Sequence, residues 1–325
     1  MTFTFKKANG VTRAVSALVA SAIAVAAFVQ PAQAVTTSTP TKALVSTTWL
    51  KENLADKKLV LLHVGDADDS VYLRSHIEGA QFINWKTELA NSSESKLKNG
   101  VVTKATFQAS TKKLGINKDS TVVLYHEGKS ITKATWGAWV FKLYGFADVR
   151  VLDGGLTKWT ADGNAVSLAV PAAKKAGNFV VKTASTKLRA SIAEVVAAVK
   201  STAKTKPVIV DNRDAAGFAG TSASTGLGTA PVAGHIASAK SIPTSAIQNA
   251  DGTFKSVAEI KAAYAAVGVS AKTNVLLYCG TGLLASASWF ALTQVLGYSA
   301  VKNYDGSWFE FSTIAPNDLV EAATK

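Results

Sequence analysis

The chain of 325 residues has one cysteine, one methionine and four histidines, and only 18% of it is charged. A single thiol cannot close a disulfide within the chain. Four dispersed histidines and one cysteine also lack the short spacings on which metal ligation rests, so no metal or other cofactor is expected. Acidic side chains are scarce, with 22 Asp and Glu against 35 Lys and Arg and a formal charge of +13. The lysines are scattered, without an arginine-rich stripe or an interleaved aromatic platform, which argues against nucleic acid as a partner. Such a charge fits solubility and attraction for a small anionic substrate or partner. What the chain has in quantity is apolar material: 48% hydrophobic residues, with 13 Phe, 7 Trp and 7 Tyr. That suffices for packed interiors, and the length suits two domains of ordinary size.

Lys6, Lys7 and Arg13 precede an apolar run from Ala14 to Val29, followed by Pro31 and then Ala32-Gln33-Ala34, the small-x-small form that signal peptidase accepts. Residues 1–34 therefore read as a secretory signal, and the mature protein as periplasmic or secreted. The run is about 16 residues, short of the roughly 20 that cross a bilayer, so no stable membrane insertion is expected once the signal is removed. Removal takes away three positive charges and leaves the chain basic.

Laid on itself with a shift of about 152 residues, the chain repeats. Leu114-Gly115-Ile116 pairs with Val267-Gly268-Val269, Val122 to His126 (VVLYH) with Val275 to Cys279 (VLLYC), and Asp153-Gly154-Gly155 with Asp305-Gly306-Ser307. Upstream, Leu59 to His63 corresponds to Val208 to Asp211, and His76 to Ala80 to His235 to Ala239, the shift growing across a Gly/Ser/Thr-rich insertion around Gly220 to Ala230. Each copy alternates short unbroken apolar runs (59–62, 122–125, 207–210, 275–278) with helical patterns (47–54, 104–114, 133–144, 191–200, 256–266, 285–296). Unbroken runs suit strands buried on both faces, and alternation with helices predicts α/β domains, each a mostly parallel sheet flanked by helices on both faces. The predicted layout is a first domain at 41–163, a linker at 164–188 rich in Ala, Lys, Ser and Thr, and a second domain at 189–325.

Chemistry in such sheets sits at the carboxyl ends of the strands, and the single Cys279 lies at one. It follows Val275-Leu-Leu-Tyr278 and opens Gly280-Thr281-Gly282-Leu283-Leu284-Ala285, after which a helical pattern begins. Strand, glycine-containing loop and helix start together form a cradle of backbone N–H groups suited to an anion. A thiol at its base is expected to shift toward thiolate and to act as a nucleophile.

These residues resemble the rhodaneses, the thiosulfate and 3-mercaptopyruvate sulfurtransferases, in their tandem two-domain form. The likeness rests on Val208-Ile-Val-Asp211-Asn-Arg213, Gly234-His235-Ile236, the Cys279 loop and Tyr304-Asp305-Gly306-Ser307-Trp308, and in the first copy on His76-Ile-Glu-Gly-Ala80 and Leu152-Asp153-Gly-Gly155 with Trp159. The resemblance implies a two-step transfer. Cys279 takes the outer sulfur of thiosulfate or 3-mercaptopyruvate as a persulfide and yields it to cyanide or a thiol acceptor, which includes a periplasmic thiol protein. The loop residues Gly280, Thr281, Gly282, Leu283, Leu284 and Ala285 are expected to hold the transferred sulfur. Arg213 is a candidate for substrate contact, although a buried ion pair with Asp211 that supports the loop is the favoured reading. Asp305 and Trp308 are expected to brace the fold. The first copy has His126 where the thiol would stand, which implies a catalytically silent domain that closes the cleft.

The loop also departs from the family pattern. Thiosulfate-type loops place a basic residue directly after the Cys and another four residues beyond the Asp-x-Arg arginine; here these positions are Gly280 and Gly217. The Cys-Gly-Thr-Gly opening is nearer the mercaptopyruvate type, in which the Thr281 hydroxyl would work with a first-domain histidine, here His76, although Leu283-Leu284 replaces the usual Val-Thr. His235 is expected to be a structural histidine at a turn, and His63 to end a strand without chemistry. Phosphatases that share this architecture need an Arg six residues after the Cys, a position held here by Ala285. A non-catalytic sulfur carrier or partner-binding protein is the alternative.

Overall fold

In a computed structural model of the chain, residues 2, 41–66, 70–221 and 232–321 are described. All but residue 2 of the expected signal at 1–34, and nearly all of the expected insertion, lie outside them. No helix of the described residues is long and apolar enough to cross a membrane.

The first copy builds a five-stranded sheet from β1 (Leu44–Val45), β2 (Leu59–Gly65), β3 (Gln81–Asn84), β4 (Thr121–Tyr125) and β5 (Val149–Leu152), in the order β1-β5-β4-β2-β3, every pair parallel. The second copy has β6 (Val208–Asp211), β7 (His235–Ile236), β8 (Lys240–Ser241), β9 (Val275–Tyr278), β10 (Val301–Asn303) and β11 (Val320–Glu321). Of these, β10-β9-β6-β8 form a parallel sheet, while β7 and β11 pair antiparallel at its side. The apolar runs are unbroken because each strand is covered on both faces. Leu62, Val64, Val122 and Leu124 enter one large core together with Val210, Leu277 and Cys279. The alternating residues Leu61, Val123 and Tyr125, or Ile209, Leu276 and Tyr278, enter a separate outer core of their own copy. One interior thus runs through both copies.

Helices begin where the sequence supplies caps. Ser191 with Glu194 and Ser256 with Glu259 form reciprocal capping boxes for Ile192–Lys200 and Val257–Ala265. The helices Thr132–Leu143 and Leu283–Phe290 have no side-chain cap. They follow β4 and β9 in the equivalent loops of the two copies, and they meet in the shared core, where Thr135 Oγ1 and Ser286 Oγ lie 2.9 Å apart.

The predicted linker at 164–188 is tied down rather than free. Its N–H groups at Gly177, Phe179, Lys182 and Ser185 donate to the carbonyls of Lys112, Ile116, Tyr144 and Leu143. These lie at or just beyond the C-termini of the helices Lys104–Lys113 and Thr132–Leu143, where carbonyls otherwise lack partners. Phe179 and Val181 are buried in the shared core.

Candidate functional site

Cys279 follows β9 at the carboxyl end of the second sheet, and the next strand and helix clamp its loop by the main chain. The Cys279 N–H donates to Ser307 Oγ (3.1 Å), Trp308 N–H to the Cys279 carbonyl (3.0 Å), Phe309 N–H to the Gly280 carbonyl (3.1 Å) and Asn303 Nδ2 to the Gly282 carbonyl (3.2 Å). Gly282 takes φ +81°, and a Cβ there would stand 2.7 Å from the Asp305 Cα. Only glycine allows this approach, which turns the loop into the uncapped helix Leu283–Phe290. The N–H groups of Ala285, Thr281 and Leu284 are thereby turned onto the thiol. Gly280, Thr281, Gly282 and Ala285 are buried; Leu283 and Leu284 are half-buried.

The expected shift toward thiolate is overturned. Cys279 is 1% exposed, and this burial pushes the thiol above its ordinary value, outweighing the three backbone donors, with Asp211 adding to the rise. The cradle is present, but in this closed arrangement low polarity wins over the N–H groups.

Arg213 and Asp211 form the buried pair that was the favoured reading. Arg213 Nε donates to both Asp211 carboxylate oxygens (3.1 and 3.0 Å), and Nη2 donates to Asp211 Oδ2 (2.6 Å) and to the Gly234 carbonyl (2.8 Å). The guanidinium stacks over Trp308 at 4.7 Å from the ring centroid. Its Nε and Nη2 donors are taken up inside the protein, the arrangement expected of a support of the loop. Trp308 lies beneath this pair, and Asp305 accepts from Arg189 Nε (2.7 Å) and Nη2 (2.8 Å).

The first copy contributes to the site through a segment that sequence reasoning missed. Asn99, in the left-handed region at φ +57°, donates from Nδ2 to Thr281 Oγ1 at 3.4 Å. Lys98 Nζ lies 5.2 Å from the centroid of Phe309, and Val101 N–H reaches Asp305 Oδ2 at 3.4 Å. The contact runs in both directions: Asp153 of the first copy accepts from Phe254 N–H of the second (2.8 Å), and the Gln248 amide donates to the Lys129 carbonyl.

His76 does not join the site. It is fully buried, its Nδ1–H donates to the Tyr72 carbonyl (2.7 Å), its Nε2 lies 3.3 Å from the Ala169 carbonyl, and the ring stacks on Tyr72. Its counterpart His235 donates to the Phe218 carbonyl (2.9 Å) and stacks on Phe218 in the same way. The repeat pairs the two histidines, so a structural role for His235 carried the same role for His76. Asn99, not His76, meets Thr281.

Where the second copy has its thiol, the first has a packed polar cluster. His126 Nδ1 lies 2.9 Å from the Val64 carbonyl and 2.5 Å from Glu127 Oε2, and the same oxygen accepts from His63 Nε2 at 3.0 Å. Lys133 Nζ bonds Asp66 Oδ2 at 2.8 Å and stands 3.8 Å from Glu127 Oε1. His63 thus does more than end a strand. Burial lowers its proton affinity below the ordinary 6.5 despite Glu127. Burial works to raise Glu127, but the hydrogen bonds of His126 and His63 win and hold it well below the usual carboxylate range. The unfolded chain therefore binds more protons than the folded one, first at His63 and then at Glu127. Stability is expected to fall as pH drops through about 6.5 and again below about 4.5. Thermal melts from pH 8 to pH 4 check this; a melting temperature flat across that range contradicts it.

Comparison with known proteins agrees with this geometry. The family model described as a rhodanese-like domain matches residues 46–162 and again 194–313. A protein of Saccharopolyspora erythraea named "Putative thiosulfate sulfurtransferase" is 36% identical over 84% of this chain and 94% of its own length. The "Sulfur carrier protein TtuD" of Thermus thermophilus is 35% identical over 84% and 94%. Among solved structures, that of SseA from Escherichia coli, titled for the rhodanese fold and catalytic mechanism of 3-mercaptopyruvate sulfotransferases, superposes with a TM-score of 0.68 at 25% identity, covering 82% of this chain and 98% of that one. With two matched copies spanning most of its length and relatives above 30% identity, the chain belongs to the rhodanese family and carries the family's domain in tandem.

Proposed function

We propose that the protein is a sulfurtransferase that moves sulfane sulfur through a persulfide on Cys279. The observation that carries the reading is the convergence of the Ala285, Thr281 and Leu284 N–H groups on the chain's only thiol; relatives with sulfurtransferase names support it. With thiosulfate, the Cys279 sulfur bonds the outer sulfur, the sulfur–sulfur bond of the donor breaks, and its electron pair leaves on sulfite together with the thiol proton. With 3-mercaptopyruvate, the carbon–sulfur pair stays on carbon, which takes a proton to give pyruvate. A thiophile such as cyanide or a thiol then attacks the terminal sulfur and restores Cys279. The persulfide carries its charge one atom further out than a thiolate, away from the apolar base of the pocket, so the loop N–H groups serve the product of the first step better than the resting thiol. In this reading the first domain, with His126 in place of the thiol, is catalytically silent, and residues 1–34 direct the protein to the periplasm or outside the cell, where thiol proteins are candidate acceptors.

The test is to incubate the purified protein separately with thiosulfate and with 3-mercaptopyruvate and to measure intact mass before and after cyanide. A gain of one sulfur atom, lost to cyanide with thiocyanate formed, is the expected result and identifies the donor. A second reading, a carrier loaded by a partner protein, is favoured by the closed burial of the thiol and by the carrier name of one relative. It is left standing alone if neither small donor adds sulfur and a persulfidated protein does.

A further inference from the structure

The two copies differ at one buried position that touches the reacting residue. Gly155 and Ser307 stand at equivalent places after β5 and β10, in nearly the same left-handed conformation, φ +54° and +52°. Beside each, the next N–H holds the carbonyl at the head of the facing loop: Leu156 N–H that of His126 (2.9 Å), and Trp308 N–H that of Cys279 (3.0 Å). In the first copy a Cβ on residue 155 would stand 2.5 Å from the His126 carbonyl oxygen, so only glycine fits. The second copy makes room for a serine there, in a backbone region that disfavours residues with a Cβ. Its side chain is fully buried and engaged on both sides of the hydroxyl. Ser307 Oγ accepts from the Cys279 N–H (3.1 Å) and donates to the Tyr304 carbonyl (2.7 Å). A second exchange of glycine for serine between the copies, Gly79 for Ser238, lies at an exposed turn where a Cβ on the glycine meets nothing within 4 Å. The exchange at 307 is the one made against close packing, and it bonds the reacting residue. An unfavourable φ kept at such a place is a known means of setting a reacting group.

We infer that Ser307 is a positioning residue for Cys279: together with the Trp308 N–H it clasps both peptide groups that flank the Cys279 Cα, and so aims the thiol at the N–H groups of Ala285, Thr281 and Leu284. This rests on the sulfurtransferase reading. The Cys279 N–H belongs to the peptide plane that enters the residue and its carbonyl to the plane that leaves it. Holding both planes fixes φ and ψ, and with them the direction of the Cα–Cβ bond. A sulfur that swings away from this direction loses aligned bonds from the loop, and hydrogen bonds weaken steeply with misalignment. Ser307 therefore acts through the main chain of Cys279 and not on the donor.

Two variants test this. Ser307→Ala removes the hydroxyl and keeps the unfavourable φ, whereas Ser307→Gly removes the hydroxyl and gives the position the residue of the first copy, without the strain. Each is incubated with whichever of thiosulfate and 3-mercaptopyruvate loads the native protein, and the gain of sulfur is followed in time by intact mass. The expected result is loading about tenfold slower at saturating donor in both variants, the scale of one hydrogen bond at a reacting group. The half-saturating donor concentration stays unchanged and the final loading is still one sulfur per chain. Ser307→Gly is expected to melt at or above the temperature of Ser307→Ala. Loading at the native rate in either variant overturns the inference. A lower final loading at an unchanged rate overturns it too, since that is what a role in folding alone produces. These outcomes leave the persulfide reading standing; a native protein that takes sulfur from neither donor removes that reading and this inference together.

Discussion

Replacing Cys279 by Ser abolishes sulfur loading and lowers transfer by at least about a thousandfold, as loss of a covalent nucleophile does, while leaving the fold in place. The two halves of this expectation come from the same geometry. The serine hydroxyl is smaller than the thiol and sits among three backbone N–H groups that can donate to it. The added polarity in a buried site is thus met by hydrogen bonds, and the stability change stays within about 1 kcal/mol. Intact-mass spectrometry after incubation with each donor reads the loading, and a thermal melt reads the fold. Transfer that survives in a folded Cys279→Ser protein would falsify the persulfide mechanism, because the chain has no second thiol to take over.

Asp211→Ala has the largest expected effect on stability. It leaves the Arg213 guanidinium buried between Trp308 and Tyr278 without its carboxylate, held by the Gly234 carbonyl and the Tyr278 side chain alone among neutral groups. Breaking one side of such a pair costs about 3–5 kcal/mol, which for a protein of this size lowers the melting temperature by roughly 5–10 °C. Replacing both partners with apolar residues, Asp211→Leu with Arg213→Met, removes the stranded charge and is expected to recover most of the loss. Catalysis supplies the second readout. If Arg213 only supports the loop, the double variant regains sulfur loading along with stability. A double variant that is stable but fails to load would return Arg213 to the substrate.

Much of the architecture was legible because both copies write it twice. The runs at 59–62, 122–125, 207–210 and 275–278 became β2, β4, β6 and β9, and the helical patterns fell within two residues of the observed helices, apart from the last, which ends in a π-helical turn at Ala291–Val295. Other strands escaped for local reasons. β5 (VRVL) and β10 (VKN) are broken by a charged residue, and β1 is two residues long, so no apolar run marks them. In the site, Asp211 and Arg213 could be paired because they stand two residues apart on one strand end. Asn99 could not, since its contact with Thr281 crosses 182 residues of sequence and no pattern of spacing announces such a meeting. The thiol's raised proton affinity was hidden for a related reason: the loop predicts the donors, but the burial that outweighs them comes from the packed core that both domains share.

The crossed contacts of the two Asp-Gly motifs carry a consequence for how this chain can vary. Asp305 accepts from Val101 and Asp153 from Phe254, the exchange in which residue i meets j and j meets i that marks the interface of a two-fold symmetric dimer. The tandem chain has the contact scheme of such a dimer with its subunits joined end to end. Joining them allows the halves to diverge without dissolving the partnership: one half lacks a thiol and still meets the other's loop through Asn99. Substitutions at Asn99 and Val101 are accordingly constrained by contacts with the opposite half, and the half without a thiol is not free to drift there.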